Sequence, residues 1–359
     1  MILVLIILYS FSEAQIRTLG VFDFPSDARF ISMGTAGMGV PGSYPHYVSP
    51  AQLAENDYGE LSYGVRPINW VKDLDARFSY LSISVPITAS QTLGIFYDRY
   101  YQGTGLLTSS ESPGGIGIVE PVEHLFGVSY ARKIGEALSV GASLKQFRFT
   151  ANPDAEATRA GYKQQTGNAT IVDLGLSYFV PILNSEPVSS KLYFSTALMN
   201  FGTWINFSND DVQQMPRYLR FGAAHDSRFS GTEFWQQYSI LLSIQYQNIL
   251  NEKDPGLRDY WSFGGELGWC DLIFLRTGIT VLPYTSYFGN RNQGAATYGL
   301  GFSLPLKRIA SSLERFHLKF DYAAVPLNLD LYPQFRFFLE DVRYNNVYSI
   351  RIVYVVKDL

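Results

Sequence analysis

The chain has 359 residues, a formal net charge of −4 and 47% apolar residues. Mild acidity without a clustered basic face excludes a nucleic-acid-binding module. A single cysteine, Cys270, excludes an internal disulfide and a Cys-based metal site, and it reads as an inert residue at a strand end beside a turn.

The N-terminus opens on an apolar run, Ile2 to Tyr9, followed by Ser10-Phe11-Ser12-Glu13-Ala14. That run is too short for a bilayer-spanning helix, which needs ~20 apolar residues. Ser12 and Ala14 stand at −3 and −1 of a cleavage that would leave Gln15 first, so residues 1–14 read as a signal peptide. No Cys follows the cleavage point, which argues against a lipoprotein.

Residues 15–56 lack strand periodicity and are expected to form an N-terminal plug inside a barrel, with a surface cap or leader as the alternative. Ser26 or Asp27 is an N-cap for a short helix in which Ala28, Ile31, Ser32 and Thr35 share a small-residue face. Gly34, Gly37 and Gly39 then allow close backbone approach, and Pro50-Ala51-Gln52-Leu53-Ala54 reads as a helical turn capped by Ser49.

From residue 57 to 359 the chain breaks into fourteen period-2 segments. They are Glu60–Val65, Ala76–Pro86, Thr92–Tyr101, Leu125–Lys133, Ala137–Phe149, Thr170–Pro181 and Lys191–Phe201, then Tyr218–Ala224, Gln236–Gln247, Asp259–Cys270, Leu272–Leu282, Ala295–Pro305, Phe316–Pro326 and Asn346–Lys357. Phe316, Leu318, Phe320 and Tyr322 share one face against His317, Lys319 and Asp321; Tyr348, Ile350, Ile352 and Tyr354 oppose Ser349 and Arg351. Tyr298–Ser303 alternates large residues with Gly299, Gly301 and Ser303, leaving one face small enough for lumen contents. Connections alternate in length: Ile87–Gln91, Ile134–Glu136 and Asp271 are tight, whereas Gln102–His124, Thr150–Ala169, Pro283–Gly294 and Leu327–Asn345 are long. Ile182–Ser190, His225–Trp235 and Leu306–Arg315 are intermediate. With 25 Tyr and 25 Phe available for interfacial girdles, this is the pattern of an all-β transmembrane antiparallel barrel of about fourteen strands, long loops outside, in a bacterial outer membrane and its lipid. A soluble sandwich or propeller would share the short strands but not the leader or the loop alternation.

No enzyme constellation is present. His46, His124, His225 and His317 are scattered without zinc spacing, no nucleophile elbow or phosphate loop exists, and neither a cofactor nor a metal is expected. Gly34–Gly39 follows no strand and is not a nucleotide loop. Asn209-Asp210-Asp211 reads as a solvated cluster with too few oxygens for calcium.

Asp27-Ala28-Arg29-Phe30-Ile31-Ser32-Met33-Gly34-Thr35-Ala36-Gly37, then Ser49-Pro50-Ala51-Gln52-Leu53-Ala54, resembles the opening motif of PorV-like proteins, members of the wider FadL-like group of outer-membrane barrels with an N-terminal plug. Phe126–Lys133 and Val140–Lys145 are similar in phrasing, whereas Val48-Ser49 and Leu359 depart from the pattern. The motif positions carried over are Asp27, Ala28, Arg29, Met33, Gly34, Gly37, Gly39 and Pro50. The resemblance implies, first, a type IX secretion accessory that binds exported proteins with a C-terminal signal domain and works beside a translocon. Leu106, Leu107, Ile116, Ile118, Leu327 and Leu329 in the outer loops are its candidate contacts. It implies, second, a channel for uptake of hydrophobic small molecules. A scaffold barrel without transport is the third reading.

Overall fold

A computed structural model describes residues 20–23, 25–42, 44–68, 75–108, 115–208, 212–251, 259–286, 289–309, 311–326 and 344–355. Fourteen wall strands run through them: β1 Tyr58–Ile68, β2 Ala76–Thr88, β3 Gln91–Tyr101, β4 Gly117–Ile134, β5 Leu138–Pro153, β6 Gln165–Ser185 and β7 Val188–Gly202, then β8 Tyr218–Phe229, β9 Tyr238–Ile249, β10 Tyr260–Trp269, β11 Ile273–Ser286, β12 Gly289–Pro305, β13 Phe316–Pro326 and β14 Tyr344–Val355. Every strand pairs antiparallel with its sequence neighbours. The sheet closes where β1 meets β14, from Tyr58 opposite Val355 to Val65 opposite Tyr348. Closure leaves no free edge along those registers, which is what a sheet in lipid requires.

The dyad decides which face meets lipid. Leu61 and Tyr63, Ile83 and Val85, Leu174 and Leu176, and Phe320 and Tyr322 are exposed on the outside of the wall. Between them Ser62, Ser143, Ser177, Asp321 and Arg351 are buried facing in. The small inward residues are functional in the packing sense, because they leave room for chain inside the barrel.

Several strands are longer than their apolar pattern suggests. Pro283–Gly294, expected as a long loop, is strand over its described residues, with Ser286 paired to Gly289. Gln102–His124 contains the start of β4, and Gly105–Leu107 folds back to pair with Gly117–Val119. Thr150–Ala169 holds the helix Ala155–Arg159 between the tall ends of β5 and β6. Ile182–Ser190 is a tight turn, because β6 reaches Ser185 and β7 starts at Val188. Polar residues extend these strands above the apolar band, where period-2 hydrophobicity gives no signal. The proposed leader 1–14, the Asn209–Asp211 cluster, Leu327, Leu329 and Leu359 lie outside the described residues.

The residues before β1 form α1 (Gly20–Asp23), α2 (Ala28–Ser32), α3 (Pro45–Val48) and a 3-10 turn (Pro50–Glu55). Asp27, not Ser26, caps α2: its Oδ1 accepts the Phe30 amide at 2.7 Å. Ser49 precedes the 3-10 turn without a side-chain capping bond, which corrects its expected role. Thr35 has φ +61° and lies beyond α2, so the helical face ends at Ser32.

Candidate functional site

The inside of the barrel is the candidate site, and the described residues of the segment before β1 pack against the inward face of the wall. α1 packs against β3 and β4, α2 against β11 to β14, and the 3-10 turn against β3 to β6. The wall admits them through glycines. A Cβ on Gly278 would stand 2.1 Å from the Gly34 nitrogen, one on Gly299 2.3 Å from Ser32 Cβ, and one on Gly141 2.5 Å from the Ala51 nitrogen. Gly34 itself has φ +64°, and its own Cβ would meet the Ile279 nitrogen at 2.5 Å, so both the backbone conformation and the space demand glycine.

All eight motif residues meet at this interface. Asp27 accepts the Tyr80 hydroxyl at 2.8 Å on the oxygen not used for the cap. Ala28 packs with Ile31, Ala323 and Val347. The Arg29 guanidinium donates to both oxygens of Glu266, at 2.9 and 3.0 Å, and to the Pro41 carbonyl at 2.9 Å. Met33 packs with Val40, Tyr193, Ala224 and Leu241. The Gly34 amide donates to Thr297 Oγ1 at 3.0 Å, and its carbonyl accepts from Thr280 at 2.7 Å. Gly37 donates its amide to Gln245 Oε1, and its carbonyl accepts Gln52 Nε2 at 2.8 Å. Gly39 lies against Ala224 and Tyr193, and Pro50 against Gly141 and Gly175.

Chemistry divides the lumen in two. In the half nearer the long connections, Ile68, Phe78, Phe96, Leu125, Phe147 and Ile171 form part of one apolar cluster that includes Val21 and Phe22 of α1. The Phe22 ring lies 5.6 Å from that of Phe147. Buried polar groups adjoin this cluster: Glu123 is 0% exposed, and Asp98, Lys145 and Asn200 line the gap that Val21 and Phe22 share with Leu125. Glu123 Oε2 accepts the Val21 amide at 2.9 Å and its Oε1 accepts Gln102 Nε2 at 2.9 Å.

The half nearer the tight turns is polar. A cavity of about 530 Å³ is lined there by Arg29, Glu55, Tyr58, Lys191, Lys319 and Arg351 among others. An ion network crosses it: Glu266 binds Arg29 and Arg276, and Asp321 binds Arg276 and Arg351. Three guanidiniums face two carboxylates, so each acid is held by two bases. Burial alone would lower the Arg29 pKa, but the Glu266 charge and hydrogen bonds outweigh it and raise it above the ordinary arginine value. Burial pushes the Glu55 carboxyl up, opposed by the Ser139 hydroxyl donating to Oε1 at 2.6 Å.

Between the halves, the Tyr44 hydroxyl donates to Asp98 at 3.0 Å and His46 Nε2 lies 3.4 Å from the same oxygen, its ring stacked on Phe96 at 4.1 Å. Burial, reinforced by the Asp98 charge, raises the Tyr44 hydroxyl well above its usual range. Arg220 donates to the Tyr47 carbonyl and to Gln247 Oε1. Among the described residues no His, Cys, Asp and Glu cluster could hold a metal.

The candidate loop contacts separate. Leu106 is 61% exposed and Ile118 is exposed, whereas Leu107 is half-buried against the apolar lumen cluster. The sequence reading missed Glu123, Glu266 and Arg276. Glu123 and Glu266 meet Val21 and Arg29 across 102 and 237 positions, so no local pattern marks those pairs.

Neither a protein-family model nor a curated protein matches the chain. Its fold is similar to that of solved outer-membrane barrels. The Pseudomonas putida toluene transporter TodX aligns at 12% identity and TM-score 0.50 over 93% of this chain and 98% of TodX. The Ralstonia pickettii toluene transporter TbuX gives 12% and 0.48 over 94% and 99%, and a Pseudomonas aeruginosa FadL homologue 12% and 0.42 over 90% and 98%. The chain therefore has a closed fourteen-stranded antiparallel barrel whose fold is similar to that of TodX.

Proposed function

We propose that the chain is a bacterial outer-membrane channel for small hydrophobic molecules, with residues 15–56 as its plug. One observation carries this reading. The long-connection half of the lumen holds a large apolar cluster that includes the side chain of Phe22, whose ring lies 5.6 Å from that of Phe147. A benzyl group has the size and shape of a one-ring hydrocarbon, and apolar burial of that size stabilises by about 1.5–3 kcal/mol. A ligand of this class gains as much as Phe22 loses when it moves aside. TodX, whose fold is similar, is described as a toluene transporter, which supports the same substrate class.

The test is protein-dependent uptake of labelled toluene by outer-membrane-bearing cells that express the chain. Phe22→Ala empties the ring site and is expected to raise uptake; Phe22→Trp is expected to lower it. Uptake equal to that of cells without the protein, for all three forms, overturns the reading.

The secretion-accessory reading rests on the motif resemblance and on exposed Leu106 and Ile118 at the rim. Co-purification of exported proteins sharing one C-terminal domain would favour it over uptake.

A further inference from the structure

Four cations face the polar cavity from one side: Arg29 of α2 and, from the wall, Arg276, Lys319 and Arg351. The three guanidiniums share Glu266 and Asp321. Lys319 has no such tie. Its ammonium lies 5.7 Å from the centre of the Tyr58 ring and has no hydrogen-bond or ion-pair partner among the described residues. Two more carboxylates adjoin this wall, Glu60 on β1 and Asp271 in the β10–β11 turn, and neither forms an ion pair with Lys319. Across the lumen, Glu55, Asp57 and Asp226 are engaged by Ser139, Lys133 and Arg228.

The register sharpens the imbalance. Lys319 stands directly opposite Arg351 where β13 pairs with β14, and both side chains line the cavity. Like charges in that relation repel. Arg351 is 4% exposed, and its Nε has no hydrogen-bond partner. The Tyr58 hydroxyl is a further donor without a partner among the described residues. A Cβ on Gly42 would lie 2.6 Å from that hydroxyl and 3.6 Å from Arg29 Nη1, which puts the hydroxyl beside a second guanidinium. An ammonium, a hydroxyl and guanidinium charge thus meet in one space of about 530 Å³, which reaches the tight-turn rim at Asp57, 83% exposed.

A halide offers these donors one atom. A tetrahedral oxyanion offers acceptor oxygens in several directions, and a phosphate suits both the ammonium and the guanidinium. We propose that the cavity is a binding site for a small free oxyanion of the phosphate type, held by Lys319 and the Tyr58 hydroxyl with Arg351 adding charge. The anion enters from the tight-turn end and offsets the repulsion between Lys319 and Arg351. Such a site is independent of what the apolar half of the lumen passes.

Inorganic phosphate is titrated calorimetrically into the full chain, refolded in a non-ionic maltoside detergent, with chloride holding the ionic strength constant. One saturable site is expected. Lys319→Met is expected to weaken it about ten- to hundredfold, the loss of one hydrogen bond between charged groups. Lys191→Met, on β7 in the same cavity, is the control and is expected to leave the affinity unchanged. Denaturant titration keeps the outcome readable apart from affinity. Without phosphate, Lys319→Met is expected to unfold no earlier than wild type, because it removes a repulsion; phosphate is expected to raise the midpoint of wild type and not that of Lys319→Met. No saturable phosphate binding by wild type overturns the proposal. Equal weakening by Lys319→Met and Lys191→Met also overturns it, since that is general attraction to a charged lumen rather than a site.

Discussion

Arg29→Met removes the tie between α2 and the wall while keeping the length of the side chain. The guanidinium gives two hydrogen bonds to Glu266 and one to the Pro41 carbonyl. Each bond to a charged group contributes about 1.5–3 kcal/mol, and removing one member of a buried pair costs about 3–5 kcal/mol when the other is stranded. Glu266 is not stranded here, because Arg276 still binds it. The net loss is therefore about 2–3 kcal/mol, or about 30- to 150-fold in the equilibrium between seated and unseated plug. The barrel is closed by its own strand registers and should not respond. The assay is hydrogen–deuterium exchange of the refolded protein, read at the Ile31 and Thr35 amides, which bond to the Asp27 and Phe30 carbonyls. Exchange there is expected to rise by that factor while peptides of β2 and β3 stay protected. Unchanged exchange at α2 would refute the assignment of Arg29 as an anchor. An equal rise in the strands would refute the independence of plug and wall.

The other predictions concern packing, charge and lipid. Gly278→Ala places a methyl group against the Gly34 and Met33 backbone and is expected to unseat α2 at a cost of about 1–3 kcal/mol. Gly59→Ala, whose nearest neighbour is 3.6 Å away, is expected to leave exchange at α2 unchanged. Burial raises the Glu55 carboxyl above its unfolded value, so its contribution to seating the 3-10 turn is fully present below the ordinary Glu range and is lost as the pH rises through the raised value. Glu55→Gln keeps an acceptor for Ser139, and exchange of residues 50–55 measured from about pH 4 to about pH 8 is expected to lose that slope; matching slopes in both proteins would contradict the assignment. Leu174→Arg puts a cation on the lipid face in the middle of β6 and is expected to cost about 2–4 kcal/mol in denaturant titrations of the bilayer-refolded barrel, against almost nothing for Leu174→Ile.

Strand number, strand order and inward-facing residues were legible because period-2 alternation is imposed by lipid on one side and a filled lumen on the other. Gly299 illustrates it: the sequence alone marks a small inward face, and Ser32 occupies that space. Strand ends were not legible, since β4, β6, β11 and β12 rise above the apolar band on polar residues such as Asn168 and Asn290, where nothing forces alternation. The site was legible in part. Asp27 to Pro50 could be singled out because close approach demands Gly and Ala in a recognisable order. Glu123 and Glu266 could not, because each is one acidic residue in a strand, and its meaning comes from Val21 or Arg29 arriving through the fold from over a hundred positions away.

The segment before β1 meets the wall at two stations of different chemistry, and on the channel reading this decides which part of it a ligand can move. At α2 the ties are charged, and the Arg29–Glu266 pair is shared with Arg276, Asp321 and Arg351. A hydrophobic molecule offers nothing to that network, so it gains no free energy by displacing α2. At α1 the ties among the described residues include the Phe22 and Val21 side chains and hydrogen bonds to Glu123 and from Tyr47, and an apolar molecule can replace the apolar contacts. A ligand shifts an equilibrium only by its differential affinity for the two states, so on the channel reading a hydrophobic ligand has more to gain by displacing α1 than by displacing α2. Opening by a hydrophobic ligand should therefore start at residues 20–23 and leave residues 28–34 seated. Hydrogen exchange with saturating p-cresol separates the two orders: faster exchange confined to α1 agrees with the argument, and release of α2 first would refute it.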